Sequence, residues 1–101
     1  MSNTDKDSEF YTMADAFIGL ANQQCKNVDP GKVSATFLYA AARFNTYIVA
    51  SNSNSAESFV QNKEKSFEYF LTEYRKMLEE HFLDYKDNFG DYIGGEDKTI
   101  N

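Results

Sequence analysis

A single cysteine, a single proline and no tryptophan stand in a chain of 101 residues. One cysteine excludes an internal disulfide, which fits a reducing compartment. One cysteine and one histidine leave no Cys/His ligand set for zinc, and neither they nor any other feature calls for a cofactor. Basic residues are few: ten Lys and Arg against sixteen Asp and Glu give a net charge of −6. That balance argues against nucleic acid, whose phosphates need clustered cations, and against anionic membrane surfaces. No apolar run approaches the length of a membrane span. The polar first nine residues read as neither a secretory signal nor a transit peptide. A cytoplasmic location is the expectation.

Scarce proline and glycine leave room for long helices, and the apolar spacing supplies them. The expected fold class is all-α: three helices, two of about twenty residues running antiparallel and one long C-terminal helix. A disordered tail is expected over residues 1–7, one helical domain over 8–90 and a flexible tail over 91–101.

In the first helix, residues 8–26, Phe10, Met13, Ala14, Phe17, Ile18, Leu20, Ala21 and Cys25 fall on one side. Asp29 is a good N-cap, Pro30 suits the first helical position, and Val28 and Val33 form a hydrophobic staple. The second helix therefore starts at Pro30 and runs to about Ser51. It is apolar on two opposite faces, one with Val33, Phe37, Phe44 and Ile48 and the other with Leu38 and Val49. Such a helix is normally buried, so it is placed centrally. A Ser/Asn connector follows, with Asn54 and Glu57 resembling a capping box. The third helix should run to Phe89, with Gly90 as its stop. At about 50 Å it is longer than two helices of about 30 Å can cover. Either it breaks near its middle, or its overhang packs on a second copy of the chain.

Chemistry-bearing residues are sparse. His81 lies on the apolar face of the third helix, where a buried or half-buried structural role outweighs an acid–base one. Cys25 sits near a helix C-terminus, where the dipole disfavours a thiolate, so an inert buried thiol is expected. The segment from Asp84 to Asp91 superficially resembles a calcium loop, but Lys86 and Phe89 stand where an oxygen ligand and a glycine belong. Glu73, Glu80, Asp84, Asp87 and Asp91 form an acidic stripe, which could dock a basic partner or simply keep the surface hydrated. Arg43, Asn45, Tyr74 and His81 are the candidate lining of an inter-helix pocket. Leu38, Val49, Phe82, Leu83 and Phe89 are the candidate contact surface.

Two resemblances bear on this reading. Phe17, Leu20, Ala21 and Phe37 share the general spacing of a tetratricopeptide unit. Gln24 and Val33 depart from it, and no second copy follows, so a tight helix pair explains the match better. The stretches from Ala14 to Cys25, from Val28 to Ala35 and from Leu38 to Asn45 more closely resemble the DUF3144 family of small proteobacterial proteins, with a weaker match from Tyr69 to Glu80. That resemblance implies helical structure and no assigned activity, and it carries no catalytic residues over. The functional expectation is a homodimeric protein–protein interaction module without catalytic activity. The alternative is a small-molecule binder or minor enzyme using the inter-helix pocket.

Overall fold

The computed structural model describes residues 6–94, and these are almost entirely helical. Five helices follow one another: α1 (Ser8–Gln24), α2 (Pro30–Ser51), α3 (Ala56–Gln61), α4 (Lys63–Asp87) and α5 (Phe89–Tyr92). The chain divides into two compact units, the first reaching through Tyr39 and the second beginning at Ala40.

In the first unit the local signals act as their chemistry requires. The Asp7 carboxylate accepts from the Phe10 amide at 2.9 Å and starts α1, satisfying one of the four amides that a helix N-terminus leaves without a partner. Asp7 thus belongs to the helical part of the chain and not to the expected tail. The end of α1 falls at Gln24, two residues short of the expected Lys26, and the Cys25 amide closes it by donating to the Ala21 carbonyl. Asp29 then starts α2: its carboxylate accepts from the Lys32 amide at 3.3 Å and its carbonyl from the Val33 amide at 3.1 Å. Val28 and Val33, the two staple positions, are both half-buried.

In the second unit α2 ends where its hydroxyls turn back on the backbone. Ser51 Oγ donates to the Ile48 carbonyl at 3.0 Å and Ser53 Oγ to the Val49 carbonyl at 2.8 Å. The next cap is Ser55, whose hydroxyl accepts from the Ser58 amide at 3.1 Å. The expected Asn54 box is therefore displaced by one residue, to Ser55.

The long third helix is interrupted, near its two ends and not at its middle. Asn62 separates α3 from α4, with its side-chain amide donating to the Ser58 carbonyl at 3.1 Å. Asn88 ends α4, with its backbone amide donating to the Asp84 carbonyl at 2.9 Å. An asparagine side chain that bonds its own backbone competes with helix continuation. Gly90 is not the stop; it lies inside α5, and no described glycine has positive φ. Helical structure thus extends to Tyr92, past the expected boundary at residue 90. Residues 1–5 and 95–101, the bulk of the expected tails, lie outside the described residues.

Among the described residues no side chain is buried. The central, buried second helix of the sequence reading is absent from the single chain, since no residue of α2 is buried. Nineteen large apolar side chains remain 36–74% exposed. They follow the expected periodicity.

Gly31 shows how closely the Asp29 cap is set. A Cβ there would lie 2.9 Å from Asp29 Oδ2. Replacing a helical glycine by alanine ordinarily gains roughly 0.5–1 kcal/mol. Here Gly31→Ala should gain little, because the methyl displaces the cap. Asp29→Ala alone should cost about 1 kcal/mol, and Gly31→Ala made in that background should recover its ordinary gain. Urea unfolding followed by circular dichroism measures all three.

Candidate functional site

The second unit holds the residues of greatest chemical interest, and they fall into two groups. The first is a cluster where α5 folds back on the end of α4. Tyr92 Oη donates to Asp84 Oδ2 at 2.7 Å, and Asn88 Nδ2 donates to Asp84 Oδ1 at 2.8 Å. The Tyr85 and Tyr92 rings stack with centroids 4.0 Å apart and planes within 13°. Both carboxylate oxygens of Asp84 are thus engaged, and the stack shields one side.

These bonds set the local electrostatics. The Tyr92 hydroxyl, then the Asn88 amide, hold the Asp84 carboxyl below the ordinary carboxylate range, with a small contribution from His81. The same bond to Asp84 pushes the Tyr92 phenol above its ordinary value. Hydrogen bonds to the charged carboxylate favour it, while ionising the phenol would destroy the donor.

The acidic stripe is consequently less available than its sequence suggests. Asp84 is bonded to Tyr92 and Asn88, Glu73 pairs with Lys76 at 3.0 Å, and Asp87 lies 4.0 Å from Lys86. Glu80 and Asp91 are exposed on α4 and α5. Exposed pairs of this kind contribute well under about 1 kcal/mol each, so they set local charge more than stability.

The second group is the apolar surface of α4. Phe67, Leu71, Tyr74, Leu78 and Phe82 lie along one side of the helix, and all are exposed. His81 belongs to that side and is exposed too, in place of the buried or half-buried setting expected for it. It is exposed because its apolar neighbours are themselves uncovered. Of the other candidate contact residues, Leu38, Leu83 and Phe89 are exposed and Val49 is half-buried. Leu83 stands about 160° round the helix from Phe67.

The candidate pocket residues occupy two helices. Arg43 (exposed) and Asn45 (half-buried) stand on α2, and Tyr74 and His81 stand on α4. No hydrogen bond, ion pair or ring contact among the described residues joins the two pairs. Cys25 is half-buried at the end of α1. Among the described residues no three His, Cys, Asp or Glu side chains gather as a metal ion would require. None of the described helices is long and apolar enough to cross a membrane.

The model of a family described as "Protein of unknown function (DUF3144)" matches residues 10–86. The chain belongs to the DUF3144 family. The matched region takes in α1 to α3 and nearly all of α4, so the apolar side of α4 falls within the family's domain, whereas Asn88 and Tyr92 fall outside it. Among solved structures, the DUF3144 chain is similar to "NMR structure of the protein NB7890A from Shewanella sp". The two are 34% identical, with 90% of this chain and 95% of that chain covered at a TM-score of 0.72. This supports the all-helical fold and agrees with the proteobacterial source that the sequence resemblance implied. No curated protein matches the chain.

Sequence reasoning missed Tyr92, because Gly90 drew the end of the helix too early. Spacing gave no signal for it: seven residues of continuous helix would set Tyr85 and Tyr92 about 10 Å apart along the axis, and the interruption at Asn88 lets their rings meet.

The pH dependence of this cluster follows from the two shifts. The Asp84 contribution is present above the ordinary carboxyl range and is lost as pH falls through the lowered pKa. The Tyr92 contribution is present below the ordinary phenol range and is lost as pH rises through the raised pKa. Tyr92→Phe should move the Asp84 titration upward toward the ordinary range and loosen α5. Carboxyl-detected NMR titration of Asp84, with amide exchange over residues 89–92, measures both.

Proposed function

We propose that this DUF3144 protein is a self-associating helical module whose role is protein–protein contact, with a second copy of the chain as the first partner. The observation that carries this reading is the coexistence of regular helices, three of them started by a side-chain cap, with the complete lack of buried side chains among the described residues. In proteins most of a helix's stability comes from burying an apolar face rather than from propensity. Exposed apolar patches larger than a few hundred Å² mark interaction surfaces on soluble proteins.

Magnitude supports the second copy. Within the second unit alone, eleven large apolar side chains are exposed, from Phe44 to Phe89. At roughly half of the 150–250 Å² that each aromatic can bury, they expose on the order of 1,000 Å². A standard interface takes about 800 Å² from each partner. The supply therefore exceeds what one stable contact uses.

Sedimentation velocity across a concentration series tests the reading. A dimer at tens of micromolar is expected, and a strict monomer throughout that range overturns it. Leu71 is 66% exposed, so Leu71→Asp disturbs no packing within the chain. It should weaken association by more than about tenfold, because the new carboxylate would be desolvated in the contact.

A further inference from the structure

The apolar side of α4 has an order that the contact reading does not require. Glu64, Phe67, Leu71, Tyr74, Leu78, His81 and Tyr85 follow one another at alternating steps of three and four residues. That is the spacing of a helix-pairing seam, in which knobs of one helix enter holes of another. It runs along a single unbroken helix, since α4 spans Lys63–Asp87. From Phe67 to Leu78 every large apolar position on it is 40–66% exposed, Phe70 and Met77 at its edge being half-buried. The far end is closed, because Tyr92 of α5 stacks on Tyr85.

The seam has two polar members, and their placement fixes the orientation of a partner. Laid antiparallel on a second copy about a centre between Leu71 and Tyr74, the sequence meets itself in complementary layers. Leu71 faces Tyr74, Phe67 faces Leu78, and Glu64 faces His81, each layer occurring twice. Every large side chain meets a differently shaped one, and the carboxylate meets the imidazole. The edges agree: Glu68 of one copy falls beside Arg75 of the other, and Phe70 beside Met77. A parallel pairing in register would set Glu64 against Glu64 at one end of the apolar contact and His81 against His81 at the other. Desolvated like groups of that kind are costly. Antiparallel packing also opposes the two helix dipoles.

Resting on the self-association reading, we propose that α4 pairs with α4 of a second copy, antiparallel, through the seam from Glu64 to His81. The area is sufficient. Phe67, Leu71, Tyr74 and Leu78 of the seam, together with the bordering Phe82, offer roughly 500 Å² of apolar surface at their observed exposures. That is what a standard contact of about 800 Å² per partner contains at its usual apolar fraction. His81 then serves as the partner of Glu64, which explains why the sole histidine occupies an apolar side of the helix.

Disulfide trapping tests the pairing. Two full-length variants are made in a Cys25→Ser background, one carrying Leu71→Cys and the other Tyr74→Cys, and copper phenanthroline supplies the oxidant. Mixed together they should give a covalent dimer of one copy of each, while each variant alone should cross-link little. Self-cross-linking of the Leu71→Cys variant alone would overturn the antiparallel register and leave self-association standing. Absence of every cross-link, in a parent that still sediments as a dimer, would remove α4 as the interface and leave the broader reading intact. A parent that is monomeric throughout would remove both. Charge reversal gives an independent readout. Glu68→Arg and Arg75→Glu should each weaken association by several-fold, since each reverses two symmetry-related pairs worth roughly two- to fivefold apiece. The double variant should return to within about twofold of the parent. A double variant as weak as the sum of its singles would overturn the edge pairing.

Discussion

Ordering a polypeptide costs roughly 1–2 kcal/mol per residue in backbone entropy alone, and burial of apolar surface is the main term that offsets it. This chain meets the local requirements of helix formation and leaves the burial unmet. Asp7, Asp29 and Ser55 each satisfy an N-terminal amide, and Ser51 and Ser53 satisfy carbonyls at the end of α2. Cap bonds contribute about 1 kcal/mol each, and the exposed pairs Arg75–Glu79 and Glu73–Lys76 less than that. Such terms specify where helices begin and end. They do not replace a core.

The same constraint explains the distribution of polar chemistry. The most engaged titratable group is Asp84, bonded to Tyr92 and Asn88 at the point where α5 returns to α4. Those bonds hold a short terminal helix of four residues in place, which propensity alone could not do. The cluster marks the end of the seam on α4, since the Tyr85–Tyr92 stack occupies the next position after His81. Its carboxylate is consumed by positioning the chain, which removes it from the acidic stripe.

Much of the local structure was legible in the residues. Asp29-Pro30 predicts the start of α2 because proline disfavours helix at the residue before it and favours it at the first helical position; α2 begins there and ends at Ser51, as expected. The interruptions at Asn62 and Asn88 were less legible, because asparagine is compatible with both helix interior and helix end until its side chain chooses the local carbonyl. Gly90 misled for the opposite reason: glycine permits a stop without requiring one. Burial was the least legible property. Periodicity shows which side of α2 or of α4 is apolar, but it does not show whether the covering surface belongs to the same chain. Leu83 and Phe82 are adjacent and both apolar, yet only Phe82 borders the ordered side of α4. The candidate pocket shared this weakness, since Arg43 and Asn45 on α2 and Tyr74 and His81 on α4 were grouped by residue type rather than by spacing.

The central claim is that the apolar side of α4 is covered by another copy of the chain. Isotope-filtered NOE spectroscopy on an equal mixture of labelled and unlabelled protein reads this directly. The account predicts cross-peaks between methyls of Leu71 in one copy and the Tyr74 ring of the other, and between Phe67 and Leu78 likewise. It is contradicted if Leu71 and Leu78 give contacts only within their own chain, to residues of α1 or α2 closed over α4.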